Sequence, residues 1–403
     1  MQRLRARWVF PVARPPLSGG EVEIADGRVL SVSEPTGRPA VDLGDVAILP
    51  GLVNAHTHLE FSGLAQPLAP GRSFSEWIAA IVAERRARQA AGPNSNVRQR
   101  GLEEALHSGA VVIGDIETSS DKPPVPPPGA RLVRFRELLS LDPDALDERL
   151  ATAAQHLDSS TTAPHVVRGL SPHAPYSVHP RLLEKAIGLA SVHGAPVAMH
   201  VAETREELEL LRSGTGPLVD LFRTWGVWRE DAIPRGIRPH DILQVLAHAP
   251  RSLVVHGNFL TDDELDVIAA SPGMSVVYCP RTHAYFGHPD YPLAGMLARG
   301  INVALGTDSR ASNPDLSLWR DVQTAARLHP DIPGEQLLRM ATINGARALG
   351  LEAEFGVLAP GRTASLAVIR LPRAPESDFH GLLRAEDSEV VRVMAAGEWL
   401  RVP

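Results

Sequence analysis

The stretch Pro50-Gly51-Leu52-Val53-Asn54-Ala55-His56-Thr57-His58 puts two histidines one residue apart at the end of an apolar run. Side chains on a strand alternate with period two, so both imidazoles point the same way and can grip one metal ion. Alone this is a weak signal, because many surface histidines share the spacing. Other apolar runs end in the same manner. His173 follows one in Ser171-Pro172-His173-Ala174-Pro175-Tyr176, and His200 ends another in Ala198-Met199-His200-Val201-Ala202-Glu203. His256 closes Val254-Val255-His256, and Asp308 follows Leu305-Gly306-Thr307. Each singly reads as a hydrogen-bonded core or loop residue; together on one rim, coincidence is the poorer account. His107, His156, His193 and His329 fall on helical or loop stretches and keep the structural reading.

The elements that must position these residues follow from the pattern of apolar runs. Eight strand candidates appear, at residues 47–53, 111–116, 132–135, 166–170, 197–199, 253–255, 274–278 and 303–305. Helical patterns fall between most of them, at 74–88, 97–106, 180–192, 262–269 and 335–349. Strands alternating with helices argue for a parallel sheet. Eight such units suit an α/β fold of the closed (β/α)8, TIM-type barrel class, with its chemistry at the C-terminal ends of the strands. An open doubly wound sheet is the rival, but no GxGxxG follows the first strand to support it.

Both chain ends read differently. Glu21-Val22-Glu23-Ile24 and Val29-Leu30-Ser31-Val32 flank Asp26-Gly27, a hairpin signal, and 364–369 and 390–394 are strand-like. The expected organisation is a discontinuous β-sandwich domain over 1–48 and 355–403, around a barrel over 49–354. Residues 123–129 hold five prolines and read as a stiff loop. Residues 215–249, with Trp225 and Trp228, read as an insertion over the barrel mouth or as a small packed subdomain.

Composition narrows the function classes. The 403 residues carry 40 Lys+Arg against 47 Asp+Glu, a net charge of −7, which demotes a nucleic-acid binder. Only Lys122 and Lys185 are lysines, and neither sits at a strand end, so Schiff-base chemistry and lysine-bridged metal pairs have almost nowhere to go. The single cysteine, Cys279, permits no intrachain disulfide. The basic start ends at Pro11 before a signal-peptide core can form, and no run of about 18 apolar residues follows, so a cytoplasmic protein without a membrane partner is expected.

Taken in order, these motifs, with Gly306-Thr307-Asp308-Ser309-Arg310-Ala311-Ser312-Asn313 and Ala341-Thr342-Ile343-Asn344-Gly345-Ala346, resemble the amidohydrolase superfamily over nearly the whole chain. The branch is that of chlorohydrolases and adenosine-type deaminases, including those acting on aminodeoxyfutalosine. One departure is Ala364-Ser365-Leu366, where the family has Ala-Asp-Leu at a structural position. The resemblance implies that His56, His58, His200 and Asp308 hold one divalent metal, zinc in the first place or iron. It places Glu203 at a substrate ring nitrogen as proton donor, His256 beside the attacking water, and Asp308 as the group that takes that water's proton. His173, Trp77 and Ser312 would contact the substrate. His283 and His288 line the pocket or serve the loop after the seventh strand.

A carboxylic acid at the ring nitrogen suits deamination of a heteroaromatic amidine. The expected substrate is a 6-aminopurine nucleoside, with 6-amino-6-deoxyfutalosine, deaminated to futalosine in menaquinone biosynthesis, ahead of S-adenosylhomocysteine, methylthioadenosine and adenosine. Its aromatic carboxylate calls for an arginine, for which Arg136 and Arg310 are the candidates. A chlorohydrolase or cyclic-amide hydrolase is the rival on this scaffold, and a non-catalytic metal-binding protein the rival from another class. A homodimer is expected on resemblance and on base rates for symmetric oligomers.

Overall fold

A computed structural model of the chain describes residues 1–69, 71–90, 96–118, 123–158, 165–371 and 379–400. Eight parallel strands lie side by side in chain order: Leu52–Thr57, Ala110–Glu117, Arg131–Leu138, Val166–Pro172, Val197–Val201, Ser252–His256, Met274–Tyr278 and Asn302–Leu305. A parallel bridge from Thr57 to Asp308 joins the first strand to the end of the eighth and closes the barrel. The closure is tight. A Cβ on Gly306 would come within 2.9 Å of the His56 Cβ and carbonyl oxygen, so only glycine lets the two strands approach. Val53, Ala55, Val133, Phe135, Ala198, Val255, Val277 and Ala304 share one buried cluster with a period-two pattern, as inward-facing barrel positions must.

The helices pack on the outside by apolar faces. In Pro180–His193 the buried residues are Leu182, Leu183, Ala186, Ile187 and Ala190, a 3.6-residue stripe. Pro180 opens that helix behind His179, and Gly194, at φ 62°, ends it.

Two further sheets are built from both ends of the chain. One orders its strands Arg28–Ser33, Glu21–Ala25, Gln2–Arg5 and Val41–Asp42. The other runs Glu398–Trp399, Glu389–Ala395, Leu366–Arg370, Val46–Pro50, Trp8–Val9 and Leu17–Ser18. Leu4, Val22 and Ile24 of the first share a buried cluster with Val9, Ile48, Leu366 and Met394 of the second, which makes the pair a sandwich. The hairpin at Asp26-Gly27 forms as expected, with φ of 51° and 72° at those residues.

Three expectations need correction. The apolar run 47–53 is not one strand. Val46–Pro50 pairs with Leu366–Arg370 in the sandwich, the chain turns at Gly51, and Leu52–Thr57 begins the barrel. The helical stretch 335–349 breaks into Gly334–Met340 and Ile343–Leu349, because the Ala341 carbonyl accepts from the Val53 amide of the first barrel strand instead of continuing the helix. The insertion is shorter than 215–249. Helix Pro239–Leu246 buries Ile242, Leu243 and Leu246 in the main core, so it is the ordinary helix of the fifth barrel unit. Lys122 lies outside the described residues. No helix among the described residues is long and apolar enough to cross a membrane.

Candidate active site

Four strand ends bring the expected polar residues to one rim. The ligating nitrogens of His56, His58 and His200 lie within 4.8 Å of one another. Asp308 Oδ1 stands 3.5 Å from His56 Nε2 and 3.7 Å from His58 Nε2. His256 stacks beside His200 with ring centroids 5.4 Å apart, and its Nε2 is 3.4 Å from Glu203 Oε1. All six side chains are buried.

The backbone at this rim is strained. Among the described residues six non-glycine positions have φ in the left-handed region, and three of them, Ala202, His256 and Asp308, lie here. Such conformations cost energy and persist only where the surroundings over-determine them. The restraints are present. The Asp308 amide donates to the His56 carbonyl, and the Asp308 carbonyl accepts from Thr57 Oγ1. Tyr291 donates its hydroxyl to the His256 carbonyl at 2.7 Å. The Glu207 carboxylate accepts from the Ala202 and Glu203 amides at 2.8 Å each, and Asn258 donates to the Glu203 carbonyl.

Burial sets the proton inventory. It pushes the imidazoles of His58, His200 and His256 well below their ordinary range, and neighbouring histidines add to this. Burial works against the Asp308 carboxylate, but the adjacent imidazoles, His56 first, hold it well below the usual carboxylate range. Glu203 goes the other way. Burial, and then the negative charges of Asp308 and Glu207, raise its carboxyl well above the ordinary value, so it carries a proton. Two carboxyls on one rim are thus driven to opposite protonation states.

The donor set fits a divalent ion. Both His56 nitrogens and His58 Nδ1 are buried with no hydrogen-bond partner, at a cost that a cation would remove. His200 Nδ1 donates to the His173 carbonyl at 2.9 Å, which leaves Nε2 as a free lone pair. Three imidazoles and one carboxylate form a set that suits zinc or ferrous iron.

Above the rim opens a pocket that reaches solvent. His58, His200, Glu203, His256 and Asp308 form its floor, and His173 and Trp77 line it as expected. His173 Nδ1 bonds Ser177 Oγ at 2.6 Å, and burial lowers its imidazole to about 3, so the ring is neutral. Phe74, Trp77, Tyr176, Phe222 and Trp225 supply an aromatic wall. Phe222 comes from helix Pro217–Thr224, so part of the insertion does shape the mouth, while Trp228 is packed behind it.

The remaining expected contacts are not in the pocket lining. Ser312 lies beneath Asp308, its Oγ 3.3 Å from Oδ2 and 2.9 Å from Thr282 Oγ1. Arg310 is tied to the Leu64 carbonyl and, at 2.7 Å, to Glu104. Arg136 occupies the strand register opposite to Glu137 and so faces the helical layer. His283 packs with Tyr278 and Tyr291, and His288 with Phe259 and Phe286, in an aromatic cluster beside the pocket. Two charged lining residues escaped the sequence reading. Glu137 ends the inward register of the third strand, a signal available in the alternation Val133, Phe135, Glu137. Arg85, two turns beyond Trp77 on helix Phe74–Ala90, had no comparable signal.

The amidohydrolase family model matches residues 47–400. A 5-methylthioadenosine/S-adenosylhomocysteine deaminase from Moorella thermoacetica is 30% identical, over 97% of this chain and 92% of its own. An aminodeoxyfutalosine deaminase from Deinococcus radiodurans is 32% identical, over 83% of this chain and 81% of its own. Among solved structures, a zinc-bound adenosine deaminase from Xanthomonas campestris superposes with a TM-score of 0.77 at 25% identity, covering 99% of this chain and 92% of that one.

Proposed function

The chain belongs to the amidohydrolase family, and from that premise we propose that it is a metal-dependent hydrolytic deaminase of a 6-aminopurine nucleoside. One observation carries the reading: a buried Glu203 stands 3.4 Å from the His256 imidazole on the rim that also holds Asp308, and burial pushes its carboxyl well above the ordinary range. A divalent ion held by His56, His58, His200 and Asp308 would supply Lewis-acid activation of a water molecule. The chain's own residues then divide the proton work. Asp308, ionised, accepts the proton of the attacking water and later delivers it to the departing amino group. Glu203 holds its proton until the purine ring nitrogen becomes basic, donates it there as the adjacent carbon is attacked, and regains one from the added hydroxyl as the carbonyl forms and ammonia leaves. Neutral His256 orients the water through a ring nitrogen. The aromatic wall stacks the purine and excludes bulk water.

The names of both curated relatives support an adenosine-type substrate. Within that class we favour 6-amino-6-deoxyfutalosine, as a step of menaquinone biosynthesis, on the Deinococcus relative. The second reading, methylthioadenosine or S-adenosylhomocysteine, is favoured by the Moorella relative's fuller coverage. With Arg136 and Arg310 turned elsewhere, the arginine at the pocket is Arg85, whose charge is shared with Glu60 at 2.6 Å.

Ammonia release is the test. The panel is these three nucleosides with adenosine, a chlorotriazine and a cyclic amide, with chelated protein as control. Metal-dependent ammonia release from aminopurine nucleosides alone is expected; chloride release or ring opening in its place would overturn the assignment. A preference of tenfold or more in kcat/KM for S-adenosylhomocysteine or adenosine would overturn only the futalosine choice. The holoenzyme is expected to carry one metal per chain and to sediment as a homodimer.

A further inference from the structure

The pocket wall beyond His173 holds a carboxyl group that the deamination chemistry leaves unused. The Glu137 side chain is 2% exposed, and its Oε2 makes no hydrogen bond. Arg85 stands 3.9 Å from that oxygen, too far to bond it, and spends its guanidinium on Glu60 at 2.6 Å. Arg85 Nε is itself buried without a partner. The His173 ring closes the third side, its Nε2 4.0 Å from Glu137 Oε1. An acceptor and a donor, both desolvated and both unsatisfied, therefore line one pocket wall, at a cost that a ligand would repay.

We propose that Glu137 and Arg85 form a sugar subsite, in which the Glu137 carboxyl group accepts hydrogen bonds from the vicinal hydroxyls of a ribose and Arg85 Nε donates to one of the same oxygens. The proposal rests on the nucleoside reading above and assigns its sugar specificity. Three features select this ligand chemistry. A vicinal diol offers O–H donors and lone-pair acceptors on adjacent carbons, matching an acceptor beside a donor. A ligand ammonium would suit the carboxylate but would meet the Arg85 cation at its side, so neutral donors fit better. The subsite also lies away from the reacting end. The His173 ring adjoins both, its centroid 5.1 Å from that of His200 and its Nε2 4.0 Å from Glu137 Oε1, so Glu137 stands one ring away from the histidine cluster. A bare heterocycle would leave both groups unpaired, which makes Glu137 a filter against substrates without a sugar.

The test pairs Glu137→Gln with sugar analogues on the metal-loaded enzyme. Adenosine, 2′-deoxyadenosine and 3′-deoxyadenosine serve as probes, read by kcat/KM for ammonia release and by calorimetric binding. Wild type is expected to favour adenosine over each deoxy analogue by about 30-fold or more, and Glu137→Gln to reduce that ratio to about threefold. Arg85→Lys should reduce it partially while metal content stays at the wild-type level. An equal loss on all three probes would assign Glu137 a merely structural role and overturn the proposal, as would a wild-type enzyme indifferent to the missing hydroxyl. If Glu137→Gln does not fold, the wild-type ratio across the three probes and the Arg85→Lys ratio still decide. If wild type binds the nucleosides with the expected ratio but releases no ammonia, the deaminase reading falls and the sugar subsite stands.

Discussion

The floor and the wall of the pocket are built by different rules. Every floor residue sits at or just after a barrel strand, and its backbone is pinned by neighbours. The Asp308 amide and carbonyl are both bonded to the first strand, and the Glu203 amide and carbonyl to Glu207 and Asn258. Phe74, Trp77 and Phe222 of the aromatic wall come from helices outside the barrel, Phe74–Ala90 and Pro217–Thr224, packed by apolar contact. A polar tie also joins wall to floor. Glu206 accepts from the Phe74 and Ser75 amides at 3.0 Å each, while the next residue, Glu207, holds the Glu203 turn. Proton transfer tolerates little displacement, so its groups sit on the rigid sheet; recognition of a flat ring tolerates more, and is left to side-chain packing.

That division can be broken from the floor first. Asp308→Asn removes a ligand charge and the proton acceptor together, and kcat is expected to fall by more than about 1,000-fold, with metal loss visible by elemental analysis. Glu203→Gln and His256→Asn leave the ligands intact. Each should retain metal while kcat falls by about 100-fold. Wild-type turnover in Glu203→Gln would remove the main support for deamination.

A change in the wall should look different. Trp77→Ala is expected to raise KM by about tenfold with kcat within about threefold, because the ring binds ground state and transition state alike. If kcat falls as far as in Glu203→Gln, floor and wall are not separable. The smallest effect lies outside both regions. Burial lowers His156 to about 4, below its ordinary value of 6.5. Its contribution to stability is therefore full above pH 6.5 and is lost as the pH falls through about 4. The loss is at most about 3 kcal/mol, and His156→Gln should flatten that part of a denaturation series read against pH.

How much of this was legible in the sequence depended on the range of the interaction that decided it. The HxH pair, the strand-end His200 and His256 and the position of Asp308 could be read because alternation along a strand is local, and a polar residue ending an apolar run is local too. The hairpin at Asp26-Gly27 was legible for the same reason. The run 47–53 was not, because whether Gly51 continues a strand or turns between two sheets depends on Leu366–Arg370, more than 300 residues away. The helical period of 335–349 gave no hint that the Ala341 carbonyl would be captured by Val53.

The pocket wall divides in the same way. Sequence by itself determined which residue types gather at the barrel rim, since the order of strands and the parity of side chains along each are written in the apolar pattern. Among the described residues the lysine is Lys185, on the outer helix Pro180–His193 and away from the rim. Only the tertiary structure decided which arginine reaches the pocket. Arg310 adjoins Asp308 in sequence, yet Glu104 draws its guanidinium away, whereas Arg85, on a helix with no motif, swings toward Glu60 and Glu137. A long charged side chain goes where its counter-charge is, and the counter-charges are placed by closure of the barrel rather than by the neighbours in the chain.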